Sequence, residues 1–283
     1  MVKVELNLIT KGRIPWVVRR EVADALRDCY RRFGSRIPYK VDVHIVDRES
    51  TMRDFLKDEK FKLGITTSGD EESICAHDAW RGYPRIIFCF ENLARFSRLA
   101  RLGAVRHEAA HSVLHGSLEY YIFRIPEDCR RTAVIKAIDS TALDRALHDL
   151  SVAVKDFEAT RFLVRHDYIG CQFAFALEWL QPSEEEKLAW KTAKTDRQAR
   201  FTYQTALLRP TLFAHPLLAL PRSKKISLEQ QVHLGRRVEE LVEHLGDAEQ
   251  NRLLQVTNVI VENLTEDTHA NVDSALLQAM SLA

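Results

Sequence analysis

Strand-like periodicity is confined to the first third of this chain. Residues 2–9 (VKVELNLI) and 41–46 (VDVHIV) alternate with a period of two, as a half-buried strand does. Residues 74–80 and 85–90 give two more strand segments, joined at Arg81-Gly82-Tyr83-Pro84, a hairpin signal. The second carries the run IIFCF, apolar enough to be central in a sheet or close to it. From Glu91 onward nothing reads as a strand. A chain of 283 residues with so few strands can build only a small sheet and must cover it with helices. The expected class is α+β: an α/β half over residues 1–170 with a small mixed sheet, then an all-helical half over 171–283.

Local signals place the helices. Pro15 opens one that runs to about Phe33, with Gly34 as its stop. Ser50 is positioned to cap a short helix holding Met52, Phe55 and Leu56. Residues 64–70 read as loop. Residues 93–116 are helical with a break near 97–103, and residues 127–165 give one or two helices. Ser183 with Glu186, and Ser227 with Gln230, have capping-box spacing. Pro210, Pro216, Pro221 and the Arg222-Ser223-Lys224-Lys225 stretch are expected to mark a loop.

Charge and cysteine usage narrow the function classes. The net charge of +1 gives no field that would gather nucleic acid or an anionic membrane surface. No apolar run approaches the roughly 20 residues of a membrane span. The N-terminus lacks a signal-peptide pattern. Five scattered cysteines without a C-x-x-C pair argue against a disulfide framework and against a cysteine metal site. A reducing cytoplasm is the expected compartment, and any zinc would take His and carboxylate ligands.

The segment RHEAAHSVLHG, residues 106–116, supplies such ligands. Its core, His107-Glu108-Ala109-Ala110-His111, is H-E-x-x-H. By composition alone that match arises in roughly one chain in a hundred of this length, so its setting on a buried helix matters. Residues i and i+4 share a helix face, one turn apart, and two imidazoles there can reach one zinc. Glu108 lies about 100° round the helix, suited to take a proton from an activated water rather than to ligate the ion. Two alanines between the histidines allow close packing on the sheet. His115 lies about 12 Å along the axis from His107, too far to join the same ion, and is read as supporting a ligand or lying at the surface.

A catalytic zinc usually has three protein ligands. The third is expected on the helix DLSVAVKDFEATRFLVR, residues 149–165. Asp156 and Glu158 stand about 200° apart, so at most one can face the metal. Asp156 borders the apolar arc of Leu150, Ala153, Phe157 and Val164, beside the small residues Ala159 and Thr160. Glu158 lies among Ser151, Lys155, Phe162 and Arg165, a more polar side. Asp156 is therefore favoured, with Glu158 as the alternative. Asp149 could orient a ligating histidine.

The order of strand, helix, strand, helix, hairpin, H-E-x-x-H helix and acid-bearing helix resembles the zincin metallopeptidases. Residues 156–162 (DFEATRF) resemble the second motif of gluzincin-like members: an acid, two residues, Ala, then Asp or Asn. The resemblance covers about residues 1–170 and implies that the first acid, here Asp156, ligates zinc. The chain departs from the pattern in having Asp rather than Glu there, and Thr160 where a helper Asp or Asn is expected. The implied activity is zinc-dependent hydrolysis of a peptide or protein substrate with Glu108 as general base. Tyr120, Tyr121, His166 and Tyr168 are candidate oxyanion donors, and the 73–80 strand is a candidate edge for an extended substrate. A zinc-binding protein of this fold that cleaves nothing and serves regulation or protein interaction is the alternative. A metal-free helical interaction protein is the third reading.

Overall fold

The structure is a computed structural model, and it describes residues 4–34, 37–65, 74–221 and 227–283. The start of the first expected strand, most of the 64–70 loop and the Arg222 to Lys225 stretch fall outside these residues. The chain divides into two compact units. One comprises Met1–Ile122 and Glu158–Glu178, the other Phe123–Phe157 and Trp179–Ala283.

The first unit is built on a four-stranded mixed sheet of order β1-β2-β4-β3. Strands β1 (Glu5–Lys11), β2 (Lys40–Val46) and β4 (Arg85–Cys89) run parallel, and β3 (Cys75–Asp78) is antiparallel to β4. The hairpin is thus present and its second strand is central, every residue of β4 being buried. β3 forms one edge of the sheet and β1 the other. Helix α1 (Trp16–Phe33) starts after Pro15 and stops at Gly34, whose φ of 83° suits glycine.

Helix α2 (Glu49–Leu63) is longer than the sequence suggests, and Ser50 lies inside it rather than at its cap. A carboxylate from elsewhere does the capping: Glu91 Oε2 accepts from the Glu49 N–H at 3.1 Å. Met52, Phe55 and Leu56 then pack on Val46, Ile87 and Cys89, with Ala76 beside them. Register makes the consequence plain. Ala76 pairs with Ile87 and His77 with Ile86. Ala76 and Ile87 belong to the α2 face, so Cys75 and His77 point to the opposite face.

Three short steps follow the sheet: α3 (Phe90–Leu93), a break at residues 94–97, and α4 (Arg98–Leu114). Ser97 caps α4 by accepting from the Ala100 N–H. Helix α4 carries the H-E-x-x-H segment and packs on β3, β4 and α1. Ala109 and Ala110 are fully buried, as close packing requires. Tyr30 of α1 ties to Ser112 at 2.7 Å, and Ser112 in turn donates to the Ala109 carbonyl. Tyr30 must therefore be the donor in that pair.

Helices α5 (Glu127–Ile135) and α6 (Ser140–Arg165) are separate, broken at Ala137 with φ of 51°. Helix α6 is buried on all sides over residues 153–160, so the more polar side expected around Lys155 and Glu158 is not a solvent face. Helix α7 (Ile169–Trp179) packs into the first unit. Its Cys171 carbonyl and Phe175 lie where a side chain on Gly103 would sit.

The second unit continues with α8 (Glu184–Ala193), α9 (Arg197–Leu218), α10 (Leu228–Val242), α11 (Asp247–Glu262) and α12 (Thr268–Ala279). Both expected capping boxes are formed, at Ser183 and at Ser227. The expected loop at Pro210 and Pro216 is not: both lie inside α9. Leu207, Leu208, Leu212, Phe213 and Leu217 are buried there, and α9 packs on α8, α10 and α11. Burial of that many large side chains outweighs the roughly 3 kcal/mol that a helix-interior proline costs. Beyond β4 no strand occurs among the described residues. Among the described residues no helix is long and apolar enough to cross a membrane, and no disulfide joins the five cysteines.

Candidate metal centre

His107, His111 and Asp156 each offer one ligand atom, and the three atoms lie within 4.8 Å of one another. All three residues are buried. His107 Nε2 and His111 Nε2 approach to 3.0 Å. Two imidazole nitrogens on one tetrahedral zinc would stand about 3.3 Å apart, from bonds of roughly 2.0–2.1 Å. The donor set is therefore of the right type and nearly the right spacing to hold a metal ion. Buried imidazole and carboxylate groups need partners that offset their desolvation, and a metal ion shared by the three would be one such partner.

The neighbouring groups are ordered by hydrogen bonds. Glu108 Oε2 lies 2.9 Å from His77 Nδ1, and both side chains are largely buried. The His77 ring also stacks on His111, with centroids 3.8 Å apart and planes at 14°. His77 went unnoticed in the sequence. The available signal was its strand: residues 75 and 77 share a face of the edge strand expected above the metal. A buried ion-pair network holds that edge in place. Arg85 of β4, fully buried, donates to Asp78 of β3 at 2.8 and 3.0 Å and to Glu59 of α2 at 2.8 Å. Burial pushes the Asp78 carboxyl above its ordinary range, with Arg85 opposing. Burial also acts to raise Glu59, but hydrogen bonds from Arg85 and Arg81 hold it below its usual value.

The remaining sequence candidates fall into place as follows. His115 is not at the surface; it has no solvent exposure and contacts His111 through Nδ1 at 3.0 Å. Glu158 accepts from His115 Nε2 at 2.9 Å. Asp156 Oδ2 accepts from Arg209 at 2.7 Å. Asp149 pairs with Arg145 of its own helix. Thr160 is fully buried, and its hydroxyl has no hydrogen-bond partner among the described residues. Tyr168 gives its hydroxyl to Asp28, and His166 bonds the Phe162 carbonyl. Tyr121 sits by His77, ring centroids 6.1 Å apart, and Tyr120 by His115 at 5.4 Å. Burial first, then the charges of Asp78 and Glu108, raises the Tyr121 hydroxyl well above its ordinary pKa, which keeps it a donor.

No protein-family model matches this chain, and no curated protein or solved structure does either.

Proposed function

We propose that this chain is a zinc-dependent metallopeptidase of zincin type, with His107, His111 and Asp156 as metal ligands and Glu108 as general base. The convergence of two histidines one helical turn apart with a buried aspartate from a helix some 45 residues downstream carries this reading. The ion, when bound, would supply a water acidified toward a pKa of roughly 7 and polarise a substrate carbonyl. Glu108 follows directly on a ligand and lies about 100° round the helix from it. There it takes a proton from the attacking water and returns it to the leaving amine. His77 fixes the plane of the Glu108 carboxylate through its 2.9 Å contact. Tyr121, beside His77, is the best-placed donor for the developing oxyanion. β3 is an edge strand, so an extended peptide can add to the sheet beside His77.

The test is metal analysis combined with peptide cleavage. Purified protein is expected to hold one zinc per chain and to cleave members of a mixed peptide library, detected by mass spectrometry. Glu108→Gln should keep the metal and lose about 10²- to 10⁴-fold in rate. Stoichiometric zinc with no cleavage by the wild type would favour the non-catalytic zinc-binding alternative. Absence of zinc after metal-replete preparation would remove the metal readings together.

A further inference from the structure

The i, i+4 spacing that pairs His107 with His111 repeats once more, at His115. The result is a continuous line of side chains. His107 Nε2 faces His111 Nε2 at 3.0 Å, His111 Nδ1 faces His115 Nδ1 at 3.0 Å, and His115 Nε2 faces Glu158 Oε2 at 2.9 Å. We propose that His115 and Glu158 are positioning residues that fix the orientation and tautomer of His111, so that its Nε2 lone pair is presented to the metal. This rests on the metal-centre reading above and assigns roles to two residues which that reading leaves without any.

Donor and acceptor roles follow from one end of the line. A carboxylate only accepts, so His115 must donate to Glu158 from Nε2. A neutral imidazole has one N–H, so His115 Nδ1 is an acceptor. His111 then donates to it from Nδ1, and its lone pair is on Nε2, the atom turned toward His107. A metal-ligating histidine commonly gives its other N–H to a carboxylate directly. Here the carboxylate is one imidazole further away, and His115 transmits its preference. Burial gives the arrangement force. His115 has no solvent exposure and the Glu158 side chain is 8% exposed, so water cannot replace either partner cheaply. The same geometry separates the two acids of α6: Glu158 is engaged by His115, while Asp156 belongs to the cluster with His107 and His111.

The experiment measures zinc affinity by competition with a chromophoric chelator, alongside imidazole ¹⁵N shifts of histidine-labelled protein. His115→Phe, which fills the volume without a hydrogen bond, should weaken zinc binding about 10- to 100-fold. His115→Asn, whose amide oxygen can stand in for Nδ1, should recover most of that loss. Glu158→Gln should weaken binding in the same direction and keep one zinc per chain, which a ligand at 158 would not allow. Both milder variants keep a polar group at the site should His115→Phe fail to fold. The ¹⁵N shifts should show His111 protonated at Nδ1 and His115 at Nε2. Equal affinities across the series, loss of one-to-one binding in Glu158→Gln, or a His111 protonated at Nε2 alone would each overturn the relay. A wild type that takes up no zinc would sink the metal reading instead, and the relay would then be decided by the tautomers.

Discussion

His44 shows how one residue can set a pH limit. It lies on β2, buried, tilted by 30° against the Phe55 ring with centroids 4.8 Å apart. Its Nδ1 has no hydrogen-bond partner among the described residues. Burial first, and then the Arg85 charge, lowers its pKa to about 4 from an ordinary 6.5. The unfolded chain therefore binds this proton at higher pH than the folded one does. Stability is unaffected by His44 above about pH 6.5 and falls as pH drops from there toward about 4. Urea titrations of wild type and His44→Leu across that window should diverge with a slope below about 1.4 kcal/mol per pH unit, the limit set by a difference of one bound proton. Parallel titrations would show that His44 charges freely in the folded state. The same scale explains the acids of α6. Each buried carboxylate has its own partner, Arg209 for Asp156 and His115 for Glu158, so the two are distinguished by what they touch and not by their polarity.

At the scale of elements, the position of α4 depends on small residues. Gly103 lies in the helix interior, where alanine would ordinarily gain about 1 kcal/mol in propensity. A Cβ there would meet the Cys171 carbonyl at 2.2 Å and Phe175 Cβ at 2.7 Å. The first is backbone and cannot rotate away. The buried bond from Gln172 Nε2 to the Gly103 carbonyl, 2.9 Å, depends on the same approach. Gly103→Ala is expected to destabilise the protein by about 1–3 kcal/mol in denaturant unfolding. A stabilised Gly103→Ala variant would mean that α4 and α7 can separate at little cost. Legibility in the sequence divides along the same line. The Ser183 and Ser227 capping boxes were readable because both partners lie within three residues. The α2 cap was not, since its acceptor, Glu91, is 42 residues away.

Over the whole molecule, the candidate ligands tie separate stretches of chain together: His107 and His111 come from α4 and Asp156 from α6. Such a set does not exist in the unfolded chain, so metal binding adds to folding free energy. Zinc at one hundred times its dissociation constant should stabilise the protein by about 2.7 kcal/mol. For a chain of this size that raises the melting temperature by roughly 4–5 °C. Glu108→Gln should show the same rise and His111→Ala should not. A rise that persists in His111→Ala would place the zinc elsewhere. The two compact units are each discontinuous in sequence, and helix α6 contributes residues to both. A boundary near residue 170 is what a linear reading of periodicity suggests, because periodicity reports element type and not which elements pack together.

The sequence by itself determined what depends on near neighbours. Period-two segments gave a small sheet in the first third, helix start and stop signals gave most of the helices, and the i, i+4 spacing aligned His107 with His111. The small residues beside Asp156 favoured it over Glu158, and Asp156 is the acid that lies with those histidines. Only the tertiary structure decided what depends on residues far apart along the chain. It brought His77 to Glu108 across 31 positions and Glu158 to His115 across 43. It kept two prolines inside α9 and moved His115 from a possible surface position to the interior. The physical reason is common to these cases. Hydrogen-bond partners and burial are properties of packed surfaces, and a local pattern constrains only the face that an element presents, not the side chain that will meet it.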